Sequence, residues 1–209
     1  VWGEATSVPY DGFKTGRWIN FKLSDVTALK NRIPEIQHIA PRNSSGIFSG
    51  SKAQLVNGQK KGSYNIYGDF PIYTTISTVT IYDGGRFINE SDIKAKRKVC
   101  VIGERTQQEL FNEGESPIGK FVRINGIHFR IIGVTKFVDG GGFGDDGDIF
   151  LPFTTYQRLY NTGEYVDFLL VAAYPTADIV QVETNIRAVL KELHHVSPED
   201  KRALGGFNI

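Results

Sequence analysis

The sequence predicts an α+β (mixed α/β) fold in which a middle segment is inserted into a split outer part. Three observations carry this. Apolar residues recur at helical spacing near both ends, the middle is rich in alternating strands closed by tight turns, and hairpins occur together with strand–helix units. A chain of 209 residues has room for one large domain or two small ones with a real core.

Each element has a local cause. In "LSDVTALKNRI", Val26, Leu29 and Ile33 recur at helical spacing behind Ser24 as N-cap, and Pro34 stops the helix. "EIQHIAPR" alternates as a strand. Asn57 and Gly58 bend two strands within "SKAQLVNGQKKGSYNIYGDF". "FPIYTTIS" reads as a short helix or turn, "TVTIYDGGRF" as an extended segment closing on a Gly pair, and "NESDIKAKR" as a short polar helix. "KVCVIG" is a continuous apolar run, the mark of a strand buried on both faces, and Gly103 ends it ahead of the helix "ERTQQELF". In "KFVRINGIHFRIIGV" two alternating strands flank Asn125 and Gly126, the preferred pair for a type I′ turn. Val122 and Ile124 share one face, and so do Ile127, Phe129 and Ile131. "DIFLPF" is a strand and "TTYQRLY" a short helix. The last section gives a buried strand, "FLLVAAY", a Pro turn and an amphipathic helix with Ile179, Val182, Ile186, Val189, Leu190 and Leu193 as its stripe.

Composition narrows the function classes. Hydrophobic residues make up 40% and charged residues 22%, values ordinary for a globular protein. Formal net charge is +1, with no basic stripe visible along the chain, so no nucleic-acid partner is expected. The densest basic run, Lys94 to Lys98, reads as a solvated helix end. The single cysteine, Cys100, lies among apolar neighbours and reads as a small core residue, not a reactive thiol. No apolar run approaches the ~20 residues that cross a bilayer, and there is no signal-peptide pattern. Starting at Val1 and lacking methionine, the chain reads as a piece of a longer protein whose membrane spans, if any, lie beyond its ends.

The motifs that could carry chemistry fail on their spacing. "FVDGGGFGDDGDIFLPF" holds five glycines and four aspartates. A phosphate cradle is excluded by Asp139, Asp145, Asp146 and Asp148, by the lack of a following Lys-Ser/Thr, and by a strand where a helix should start. The EF-hand ligand spacing is absent. His38, His128, His194 and His195 form no zinc motif; the last two end a helix, where a cation suits the dipole. No nucleophile elbow occurs. Tyr10, Phe13 and Trp18 read as core packing in preference to a partner contact. No catalytic residue, metal ligand or cofactor is expected.

One long stretch matches a known pattern. "GRFINESD", "VCVIGE", "ELF", "SPIGK", "RINGIHF" and "IIGV" follow in fixed order, and "DIFLPFTTYQRL" continues them. Together they resemble the extracytoplasmic core domain of MacB-like ABC transporter permeases, the superfamily of MacB, FtsX, LolC and LolE. The match is strong over roughly residues 80 to 160 and looser in the flanks. Cys100 stands where the family usually has a small apolar residue.

The resemblance implies a discontinuous porter-like subdomain over 1–83 and 161–209, with a Sabre-like α/β subdomain containing the hairpin inserted at 84–160. It implies a domain held in the periplasm between two transmembrane helices of a bacterial inner-membrane permease. Such a domain relays the work of an ABC ATPase subunit or domain to periplasmic adaptor or envelope proteins, in efflux, lipoprotein release or wall-hydrolase control, and the permease works as a dimer. Lys120 of "PIGK" closes a turn between helix and hairpin. The Gly/Asp stretch lies at a variable, exposed loop, where Phe137, Phe143, Asp145 and Asp146 are the candidate partner contacts; its acidity departs from the family. The rival readings are a secreted or surface binding module and an enzyme of unrecognised type.

Overall fold

The structure is a computed structural model that describes residues 1–46, 50–136 and 145–207. Its residues gather into two compact units, Val1–Pro41 with Glu164–Ile209, and Arg42–Gly163. The class is mixed α and β, as expected. The first boundary is not at residue 83. Strands Ala53–Asn57 and Ile66–Asp69 pair with Phe121–Ile124 and Ile149–Pro152, which draws the whole segment from Arg42 onward into the inserted unit. The division falls inside the strand Ile36–Ser45, where no loop marks it.

In the outer unit, the helices Leu23–Arg32 and Ile179–Leu193 pack on each other. Ser24 is not the cap. The Asp25 carboxylate instead accepts the Lys22 N–H at 2.8 Å, and also lies 2.7 Å from His194 Nε2, joining the two helices. Asp178 caps the long helix by accepting from the N–H groups of Val180 and Gln181. Val182, Ile186, Val189 and Leu190 are buried, whereas Ile179 and Leu193 are 47% and 37% exposed, so the stripe is shorter than its periodicity suggests. Of "FLLVAAY" only Phe168 and Leu169 are buried. The two-residue strands Trp2–Gly3 and Leu204–Gly205 have no sequence signal; they pair antiparallel, and Trp2 also pairs with Phe168. Asp200, fully buried, accepts from the N–H groups of Ser7, Val8, Arg202 and Ala203 and from the Ser7 hydroxyl. Against its burial, these bonds hold its carboxyl well below the usual range.

The inserted unit is a mixed sheet. From one side it runs Ile66–Asp69, Ile149–Pro152, Val99–Gly103, Ile127–Lys136, Phe121–Ile124, Ala53–Asn57 and Lys60–Tyr64. Val99–Gly103 lies parallel to Ile127–Lys136 and antiparallel to Ile149–Pro152, buried along its whole length as its apolar run predicts. Asn125 and Gly126 turn the hairpin with φ of 47° and 85°, the paired positive angles that a type I′ turn requires. Inward side chains of the sheet meet Leu110 and Phe111, at the end of the helix Glu104–Leu110, and Tyr156 of the helix Phe153–Tyr160 in one core. Cys100 is part of that core and burial pushes its thiol up, as expected of an inert residue. Lys120 closes its turn by donating to the Pro117 carbonyl and pairing with Glu115.

Arg42 and Asp69 form a bidentate ion pair, 2.5 and 2.9 Å, with both side chains fully buried. The guanidinium lies 4.2 Å over the Tyr67 ring and 4.0 Å over Tyr73. Arg42→Met is expected to cost about 3–5 kcal/mol in denaturant unfolding, because it strands a buried carboxylate. Arg42→Met with Asp69→Val recovers more than half of that loss; a double variant no better than the single one would show that charge pairing is not the issue.

Candidate functional site

The sequence singled out the Gly/Asp stretch. Phe137 and Phe143 lie outside the described residues. Asp145 and Asp146 are described, the first exposed and the second half-buried, and both pair with Arg105 of the helix Glu104–Leu110. Arg105 Nε donates to Asp146 Oδ1 and Nη2 to Asp145 Oδ1, each at 2.5 Å, while Nη1 reaches Glu109 at 3.3 Å. Planar guanidinium geometry suits this forked recognition of two carboxylates.

Behind the clamp the backbone is fixed residue by residue. The Asp148 N–H donates to the Asp145 carbonyl at 3.0 Å, and the Gly147 N–H to Asp145 Oδ1 at 3.0 Å. The Gly103 N–H donates to the Asp148 carbonyl at 2.8 Å, and the Thr106 hydroxyl to the Gly147 carbonyl at 2.8 Å. Gly103 is glycine for space. Its φ is an ordinary −72°, but a Cβ there would stand 2.1 Å from the Asp146 carbonyl oxygen.

Asp148 is the buried member of the cluster. Its carboxylate accepts the Asp145 N–H at 2.7 Å and Asn65 Nδ2 at 3.2 Å. Burial raises its pKa to about 6, only partly opposed by those two bonds. The arrangement does not suit calcium, since a guanidinium already supplies the positive charge to Asp145 and Asp146. Among the described residues no three His, Cys, Asp or Glu side chains are placed to hold a metal. A nearby cleft of about 550 Å³ is lined by Asp83, Glu104, Glu113 and Glu115 over Phe111. There Glu104 accepts from the Tyr82 hydroxyl at 2.7 Å and Glu115 pairs with Lys120, an ion-paired rim rather than an acid–base couple.

Two surface features depart from the sequence reading. Tyr10, Phe13 and Trp18 are 45%, 44% and 57% exposed, so they are not core. Arg17 lies 4.3 Å over Phe13 while donating to the carbonyls of His194 and His195, the last of which is also bonded to Asp11. The chain does carry a basic stripe. It is assembled from Lys61, Arg123 and Arg130, with the imidazole of His128 among them, residues of three strands that no contiguous run reveals. Exposed basic side chains two apart in one strand, as in "HFR", were the available signal.

Comparison with known proteins places this geometry. A family model described as the MacB-like periplasmic core domain matches residues 3–189. The chain belongs to this family. The macrolide export ATP-binding/permease protein MacB of Bdellovibrio bacteriovorus is 31% identical over 185 residues, 88% of this chain and 27% of that protein. The pyoverdine export ATP-binding/permease protein PvdT of Pseudomonas syringae pv. syringae is 28% identical over 83% of this chain and 25% of its own length. The chain thus spans about a quarter of the length of these curated relatives. The crystal structure of the periplasmic region of MacB from Actinobacillus actinomycetemcomitans shares the fold, with a TM-score of 0.71 at 24% identity over 91% of this chain and 82% of that one. The extracellular domain of the noncanonic ABC-type transporter YknZ from Gram-positive bacteria also gives 0.71, at 17% identity, over 86% of this chain and 87% of that one.

The raised Asp148 pKa fixes a pH dependence. A carboxyl whose folded pKa exceeds its unfolded one carries a penalty that is full above about 6 and is relieved as pH falls toward 4. Compared with Asp148→Asn, the wild-type chain should therefore gain relative stability between pH 7.5 and pH 5 in urea unfolding. A difference that stays flat, or moves the other way, would show that Asp148 is not the group that titrates. Gly103→Ala is expected to lower Tm by several degrees, since the Asp146 carbonyl must retreat from the new methyl.

Proposed function

We propose that the chain is the extracytoplasmic domain of an ABC transporter permease, and that it passes motion driven by cytoplasmic ATP hydrolysis to proteins of the cell envelope. The observation that carries this is the pairing of its two ends. Trp2 is opposite Gly205 and Gly3 opposite Leu204, and the Trp2 ring meets Phe207 edge-on at 6.0 Å. A domain spliced between two consecutive membrane spans needs its entry and exit side by side; a module hung from one end does not.

Family membership supports the same reading, and relatives named as ATP-binding/permease proteins support an ATPase in the parent protein rather than in this piece. In this proposal the outer unit is the porter-like part and Arg42–Gly163 the Sabre-like part. The chain passes between them twice, so displacement of the ends reaches the inserted unit through two covalent links. The domain does no chemistry of its own. It faces outward from the cytoplasmic membrane, within a permease dimer, and meets a periplasmic adaptor or envelope protein. Phe137 and Phe143 belong to that contact in this reading, with Asp145 and Asp146 holding the base of their segment on Arg105. Export is the process favoured, because both curated relatives above are named for it.

The test uses the full-length parent in proteoliposomes. Replacing residues 42–163 by a short Gly/Ser linker should leave ATP hydrolysis measurable and abolish vectorial export. Export that survives the replacement would overturn the relay. A parent that lacks apolar segments of about 20 residues on both sides of this chain would favour a secreted binding module instead.

A further inference from the structure

The strands Lys60–Tyr64, Ala53–Asn57, Phe121–Ile124 and Ile127–Lys136 contain no aspartate or glutamate. Their register decides what faces out. Lys61 is opposite Val56, Val56 opposite Arg123, and Arg123 opposite His128, which makes one row across all four strands. At about 4.8 Å per strand this row spans roughly 15 Å. Phe121 and Arg130 are opposite each other in the next row, about 7 Å along the strands.

Burial confirms the sidedness. Leu55, Val122, Ile124, Phe129 and Ile131 point into the core, where residues of both longer helices of the unit meet them, so the helices cover the inner face and leave the outer one bare. On that bare face Lys61, Arg123, His128 and Arg130 are exposed, and among the described residues none of them takes part in an ion pair. Among the described arginines elsewhere in the unit, Arg42, Arg86, Arg97 and Arg105 are each matched by a carboxylate and Arg158 is not. Phe121, 58% exposed, is the aromatic side chain of these two rows.

We infer that this outer sheet face is a docking surface for an acidic protein surface, one that sets carboxylates around an apolar side chain. Charge complementarity decides the sign of the partner, since unpaired cations on a face free of carboxylates attract and orient an acidic one. The residue types decide its class. Arginine and a large aromatic on a flat face, interleaved with Val56, are the anchors of protein interfaces. Lipid-binding surfaces instead gather about four to eight Lys and Arg beside a membrane span or on an amphipathic helix, more than the Lys61, Arg123 and Arg130 of this sheet face. The inference goes beyond the relay proposed above and stands on this unit's own surface.

The test titrates the 209-residue chain with an acidic amphipathic Glu/Leu peptide, followed by tryptophan-independent calorimetry or anisotropy of a labelled peptide. Phosphatidylglycerol vesicles and oligothymidine serve as competing anionic probes. Arg123→Glu and Lys61→Glu, on different strands, should each weaken peptide binding roughly tenfold, and Phe121→Ala severalfold with an unchanged salt slope. Lys30→Glu, on the outer unit, should bind as wild type, and thermal unfolding checks that each variant is folded. The inference is overturned if the two charge reversals bind as tightly as wild type, if Phe121→Ala loses nothing, or if vesicles or oligothymidine bind more tightly than the peptide. The peptide titration reads this surface alone, so its outcome does not depend on that of the export assay on the parent.

Discussion

The inserted unit depends on one interaction, the buried pair of Arg42 and Asp69. Two ions removed from water are tolerated only if each satisfies the other, and here a forked guanidinium meets both carboxylate oxygens. The pair sits where the end of Ile36–Ser45 lies antiparallel to Ile66–Asp69. It thereby fixes the register of Ile66–Asp69, the neighbour of Ile149–Pro152. Tyr67 and Tyr73 lie against the guanidinium, and Phe150 stacks on both rings. A slip of one residue would turn Asp69 away from Arg42 and leave a charge without a partner, so the pair contributes to specificity of register more than to net stability.

What Ile149–Pro152 inherits from this register is the position of Asp148, one residue before it. Asp148 reaches back to Asn65, which itself separates Lys60–Tyr64 from Ile66–Asp69. The Asp145–Asp148 turn is therefore held from two sides, by Arg105 on the helix and by Asn65 on the sheet. The aspartates Asp145, Asp146 and Asp148, which in sequence suggest a cation site only by composition, are in space the partners of Arg105 and Asn65. The difference lies in a single guanidinium contributed from about forty residues away, which no spacing rule within the loop can anticipate.

Legibility follows the range of the determining contact. The hairpin at Asn125 and Gly126, the buried strand Val99–Gly103 and the helix Ile179–Leu193 were readable because turn chemistry and periodicity act within a few residues. The boundary at Arg42 was not, because it depends on pairing with Asp69 and on strands that join Phe121–Ile124 much later in the chain. Ser24 falls inside the first turn because the helix already begins at Leu23, where the Asp25 carboxylate accepts the Lys22 N–H and also meets His194, 169 residues away. Tyr10, Phe13 and Trp18 resemble core residues in composition, but the segment that carries them is tied down by Asp200 and Arg17 through polar bonds, so its rings were never needed inside.

Net charge is the quantity that concealed most. A value of +1 suggests an electrostatically neutral surface. The strands show why that inference fails. Pleating sends alternate residues to opposite faces, so a strand can hide its apolar residues and collect every cation on one side. In Phe121–Ile124 and Ile127–Lys136, Val122, Ile124, Phe129 and Ile131 are buried while Arg123, His128 and Arg130 are exposed. The compensating carboxylates lie on other elements, among them Glu104, Glu113 and Glu115 around the cleft beside the helix Glu104–Leu110. A domain that is neutral on average thus presents a basic sheet face and an acidic cleft. Separated charge of this kind orients an approaching protein before contact.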